Sequence, residues 1–246
     1  MTQAGILTPP APGLTAELAR AAHAVYALEA AAPIAVGELR TLSAGAPDGV
    51  LASWAEEIAT AGGFPLLGTG LVAPTYPALL WNGARLDGAR PDLDWAPLLA
   101  ALAAADAASA GLDRVARAVA AGSCVRSLAE GLLTDDSPAA ALPTLATLGA
   151  ATAAAFAGPA EGEGLERILD LAASLTVLTP GPQRRASSPL WAGHGAASGW
   201  LAATLPVEVA TPMSGSVAYT LSVAAGHAVP AAGATGTVAD LLESIR

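Results

Sequence analysis

Runs such as LLAALAAADAA (Leu98 to Ala108) and LATLGAATAAAFA (Leu145 to Ala157) make alanine the residue that decides what this chain can fold into. Hydrophobic residues fill 53% of its 246 positions while aromatics fill only 4%, so small side chains carry the core. Alanine is the best helix former because it loses no side-chain entropy on ordering. Its size also lets helices pack closely. The expectation is an all-α protein, a single multi-helix domain over residues 1–246, long enough to bury a sizeable core.

The formal net charge is −10, and all 11 basic residues are arginine. No basic patch is available to neutralise phosphates, so nucleic acid is not an expected partner. The absence of lysine excludes a Schiff base and a lysine general base. Cys124 is the single cysteine, which excludes an internal disulfide and a cysteine-based zinc site. Its bland reading is a small buried hydrophobe. His23, His194 and His227 are far apart and form no His-x-x-x-His pair, so neither metal nor cofactor is expected. The leading MTQAGILTPPAPG lacks a basic n-region and a long apolar core, so no signal peptide is expected. The uncharged run from Ser137 to Ala160 is mostly Ala, Gly, Thr and Pro and is interrupted by Pro143. It reads as a buried helix rather than a membrane span, and the location expected is cytoplasmic.

Thr15 is placed to cap a helix over Ala16–Ala31, with Leu18, Ala22 and Tyr26 on one face. Further helices are expected over Val36–Leu42, Val50–Ala61 and Tyr76–Trp81. The stretch GARLDGARPDLDW (Gly83 to Trp95) is polar and proline-containing and reads as a loop, the kind of segment that carries function on a rigid scaffold. Helices follow over Ala96–Ala110 and Leu112–Leu133, the latter with Val115, Val119, Gly122 and Arg126 on one face. TDDSP then makes a capping turn into the helix ending at Gly158. Leu165–Leu178 and Leu190–Leu205 complete the helical part. The tail VEVATPMSGSVAYTLSVAAG is β-branched with partial alternation, compatible with a short hairpin near the C-terminus, and TVADLLESIR reads as a terminal helix.

No phosphate loop, dinucleotide-binding glycine pattern or nucleophile elbow is present. Asp87, Asp92 and Asp94 share the polar stretch, and neighbouring carboxylates can divide acid and base roles where burial raises one pKa. The plainer reading is that they are solvated or cap the next helix. Asp135 and Asp136 read as capping residues, and Arg126 and Glu130, at i,i+4 spacing, as a structural pair.

Several segments, in chain order, resemble the MmgE/PrpD family, which includes 2-methylcitrate dehydratase, cis-aconitate decarboxylase and iminodisuccinate epimerase. APTYPALLWNGARLDG resembles its Ala-rich helix running into an Asn-Gly loop. PDLDWAPLLAALAAAD resembles its acidic Asp-x-Asp loop and following helix. LPTLATLGAATAAAFAG resembles its His-Pro-Thr segment, LERILDLAASL the helix after it, and SSPLWAGHGAASGWLAATL its Lys-x-x-x-Ala-Gly-x-Ala-Ala-x-Gly helix. The resemblance implies an MmgE/PrpD-type helical core over residues 14–205, a remnant tail and terminal helix over 206–246 in place of most of the lid domain, and a homodimer.

The departures bear on function. The family's histidine before the proline of the acidic loop aligns with Ala96. That of His-Pro-Thr aligns with Leu142, its lysine with Ser188, and the histidine after Asn-Gly falls near Asp87. A tricarboxylate substrate is therefore not expected. The reading that follows is a cofactor-independent enzyme of specialised metabolism, catalysing an isomerisation, elimination or cyclisation of a small, largely apolar substrate. Asp94 and His194, with Asp92, are the acid/base candidates. Tyr76, Trp81 and Trp191 would line the pocket, and Asn82, Arg85, Asp87, Thr144 and Ser188 would contact substrate. The alternative is a catalytically silent partner subunit that kept the scaffold and lost the chemistry. His194 takes no role from the resemblance, which places it on a scaffold helix.

Overall fold

The computed structural model describes residues 13–28, 39, 45–90, 93–133, 139–140, 142–180 and 190–229. Among these residues the chain forms nine helices and two minimal antiparallel strand pairs. In order, these are α1 (Gly13–Ala27), α2 (Gly49–Ile58), β1 (Phe64–Pro65), β2 (Val72–Ala73), α3 (Thr75–Ala89), α4 (Trp95–Ala108), α5 (Leu112–Gly131), β3 (Ala139–Ala140), α6 (Leu142–Ala157), α7 (Leu165–Ser174), β4 (Thr179–Pro180), α8 (Leu190–Thr204) and α9 (Ser216–Ala225). The mostly helical architecture expected from alanine content is what is found. β1 pairs with β2, Phe64 opposite Ala73, and β3 with β4, Ala139 opposite Pro180. No helix of the described residues is long and apolar enough to cross a membrane.

Prolines sit in the first turn of three helices, Pro77 in α3, Pro97 in α4 and Pro143 in α6. A missing N–H costs nothing there because the first turn has no intrahelical acceptor for it. α6 is the axis of the fold: α4, α5, α7 and α8 all pack on it. Leu148, Ala150, Ala151, Ala153 and Phe156 of α6 are fully buried, so the uncharged run forms a buried helix over Leu142–Ala157.

Glycine sets how closely these helices approach. A Cβ on Gly195 would lie 2.6 Å from Ala146 Cβ, and one on Gly199 would lie 2.5 Å from the Ala151 nitrogen. The matched residues ascend together, so α8 and α6 run side by side in the same direction. On the other side of α6, a Cβ on Gly122 of α5 would meet the Gly149 carbonyl oxygen at 2.4 Å. The expectation that Gly122 weakens its helix misses this role, which is to let two backbones touch. Gly83 of α3 and Gly193 of α8 meet in the same way, with Gly193 Cα only 2.1 Å from where a Gly83 Cβ would stand.

That crossing explains the first correction. Gly83–Ala89 is helix, not loop, and the expected short helix over Tyr76–Trp81 continues through it to Ala89. The polar composition of this stretch reflects partners rather than water, since Asn82 is fully buried and Arg85 nearly so. Only residues 90–94 separate α3 from α4, and Trp95 donates its indole N–H back to the Arg90 carbonyl at 2.9 Å.

The second correction concerns the tail. The stretch read as a hairpin is a turn followed by helix α9. Val217, Ala218, Leu221, Ala224 and Ala225 are its buried apolar residues, at helical spacing. Its first turn is held by Asp170 of α7, which accepts from the Gly215 and Val217 N–H groups, both at 3.1 Å, and from the Thr15 hydroxyl at 3.0 Å. Thr15 is thus not the cap of α1 but a buried residue inside it, tied to α7. Boundaries elsewhere shift by a few residues. α1 is Gly13–Ala27 rather than Ala16–Ala31, α2 ends at Ile58, α5 at Gly131 and α7 at Ser174, while α4 and α8 agree within two residues. The helix expected over Val36–Leu42 lies outside the described residues except for helical Leu39; the TDDSP turn with Asp135 and Asp136, and the terminal TVADLLESIR, lie wholly outside them.

Three arginines fasten segments to one another through backbone oxygens. Arg114 of α5 donates Nε–H to the Phe156 carbonyl at 2.9 Å and Nη2–H to that of Gly158, closing the C-terminus of α6, and pairs with Glu161 at 3.1 Å. Arg167 of α7 reaches the Leu205 and Ala210 carbonyls beyond α8, at 3.2 and 3.4 Å. Arg85 is the third. Aromatics close the far end of α6, where Tyr26 stacks on Phe156 at 4.4 Å and His23 meets the same ring edge-on at 4.9 Å.

Candidate functional site

α3 directs Trp81, Asn82 and Arg85 into its surroundings within one turn of helix. The fully buried Trp81 donates its indole N–H to the Leu51 carbonyl at 2.9 Å. Asn82 uses both ends of its amide. Oδ1 accepts from the Leu67 N–H at 2.9 Å, and Nδ2 donates to the Pro65 carbonyl at 2.9 Å. Arg85 lies 5.7 Å from the Trp81 ring and donates to the carbonyls of Leu67 and Gly45. Burial lowers its pKa. These three nominated contact residues therefore anchor the 45–51 segment and the β1–β2 turn to α3.

Asn82→Leu is expected to cost about 2 kcal/mol, because it leaves the Leu67 N–H and the Pro65 carbonyl unsatisfied. Hydrogen exchange should show it first at Leu67, and unchanged protection there would contradict the anchoring role.

A cleft of about 540 Å³ opens between the start of α2 and the second half of α3. Asp48, Val50, Leu51, Arg85 and Leu86 are among its lining residues. Asp48 caps α2 by accepting from the Leu51 N–H at 3.0 Å. Asp87, on α3, is partly buried, and desolvation raises the pKa of its carboxyl. Tyr76 is half-buried in the first turn of α3.

Asp94 ends the turn between α3 and α4. Its Oδ2 lies 3.1 Å from Arg126 Nη1 of α5, a distance that makes an ion pair although no aligned hydrogen bond forms to that oxygen. Arg126 thus pairs with Asp94 across helices rather than with Glu130 along its own, the pair the i,i+4 spacing suggests. The Asp94 side chain is 19% exposed and that of Arg126 28%. Burial raises the Asp94 pKa; Arg126 opposes the shift by favouring the carboxylate, and Glu130 adds to it. A carboxyl raised in the folded state binds more protons there than in the unfolded chain. Stability should therefore fall as pH rises from 3.8, the ordinary value, through the folded pKa. Melting temperatures of wild type and Asp94→Asn across that window check this; the substitution should remove the Asp94 part of the slope.

His194 stands elsewhere, half-buried on α8. Its Nε2 is 3.5 Å from the Ser198 hydroxyl one turn along, and the ring interacts with the backbone at Leu175, the end of α7. Burial lowers its pKa against the effect of that backbone contact. The partners of Asp94 and of His194 do not overlap. Thr144 is fully buried in the first turn of α6, its hydroxyl without a hydrogen-bond partner. Trp191 is half-buried at the start of α8. Asp92 and Ser188 lie outside the described residues. Cys124 is buried, and desolvation pushes its thiol to about 11, far from a thiolate nucleophile at neutral pH.

Comparison with family models, with curated proteins and with solved structures finds no match. The site thus has to be read from its own chemistry. Among the described residues, no group of three or more His, Cys, Asp or Glu side chains is placed to hold a metal ion. What stands out is one carboxyl raised by burial beside one guanidinium, at the mouth of a helix-to-helix turn, with a cleft along the preceding helix. Two residues escaped the sequence reading. Asp170 sits between Leu169 and Leu171 in the buried part of α7, and a charge in so apolar a run was a visible hint. Arg114 gave no comparable signal, because the carbonyls it collects lie more than forty positions away.

Proposed function

We propose that this protein is an MmgE/PrpD-like enzyme that works without a cofactor, isomerising, eliminating from or cyclising a small organic substrate, with Asp94 moving the proton. The carrying observation is the Asp94 carboxyl, raised by burial and paired with Arg126 at 3.1 Å. A raised carboxyl holds its proton closer to neutral pH and so can serve as acid or base. Arg126 supports the ionised form when Asp94 has given up the proton. Trp191 and Tyr76, both half-buried, fit an apolar wall, and His194 is the second acid/base candidate. A homodimer goes with this reading through the family resemblance.

The test is turnover of a metabolite mixture followed by mass spectrometry. Asp94→Asn should lower the rate at least about 100-fold, in the range of general acid/base catalysis, while the fold survives. If Asp94→Asn and His194→Ala both keep full turnover, the assignment is wrong.

A second reading, the silent partner subunit, is favoured by one observation. The Trp81 indole N–H and both polar ends of the Asn82 amide are bonded to this chain's own backbone. That reading predicts no turnover and a second protein that co-purifies.

A further inference from the structure

We draw no further inference here: the strongest candidate, the recess of about 400 Å³ where Arg20 and His23 of α1 face the N-terminus of α7, rests on a helix end without a side-chain cap, shares its lining with exposed Glu163 and Glu166, and has no buried, unpartnered side chain shown to be aimed into it.

Discussion

Gly83→Ala is expected to lower the melting temperature by about 10 °C, while Gly88→Ala, five residues along the same helix, leaves it unchanged or slightly raised. At Gly83 the added carbon would stand 2.1 Å from Gly193 Cα and 2.2 Å from Gly193 N. Both are backbone atoms, so no rotamer change relieves the clash and the two helices must part. Overpacking of this kind costs about 3 kcal/mol, which is about 10 °C for a chain of this length. At Gly88 nothing lies within 4 Å of the added carbon, and exchanging glycine for alanine removes backbone freedom from the unfolded chain, worth roughly half a kcal/mol near a helix end. Thermal melts of the two variants decide the matter. Equal effects would mean that helix propensity, rather than the α3–α8 crossing, governs both positions.

Asp170→Ala is expected to cost about 4 kcal/mol, in the range for removing one partner of a buried charged network. The carboxylate is 6% exposed and accepts three hydrogen bonds from two other parts of the chain, Thr15 in α1 and the Gly215 and Val217 N–H groups at the start of α9. Its loss strands a hydroxyl and two N–H groups in the interior and takes the negative charge from the N-terminus of α9. Asp170→Asn should fall between, since it keeps one acceptor and turns a donor toward an N–H. Thr15→Val, removing one bond, should cost only about 1 kcal/mol. Hydrogen exchange supplies the spatial readout: protection should fall first at Val217 and through α9. An Asp170→Ala protein that melts within 2 °C of wild type, roughly the effect of a single kcal/mol, would overturn the account.

The two corrections mark where local sequence stops being informative. Alanine content and first-turn prolines are local properties, and α4, α6 and α8 follow from them closely. Gly83–Ala89 looked like a loop because glycine, arginine and aspartate usually face water. Here Gly83 is small because a second backbone lies against it, and Asn82 and Arg85 are polar because they bind carbonyls from other segments. Helix α9 was obscured in the same way, its β-branched residues outweighing a helical spacing whose cap comes from Asp170, 45 positions earlier than Gly215. At the candidate site, the acidic character of Asp94 was legible. Its partner was not, because the i,i+4 neighbour Glu130 competes on paper with a carboxyl that only the α4–α5 contact brings close to Arg126.

The carbonyl-binding arginines carry a consequence for how this chain can change over time. Arg85, Arg114 and Arg167 grip main-chain oxygens at Gly45, Leu67, Phe156, Gly158, Leu205 and Ala210. Every residue type offers that same oxygen. The arginines therefore hold these segments through the path of the backbone, and their grip by itself makes no demand on which side chains stand there.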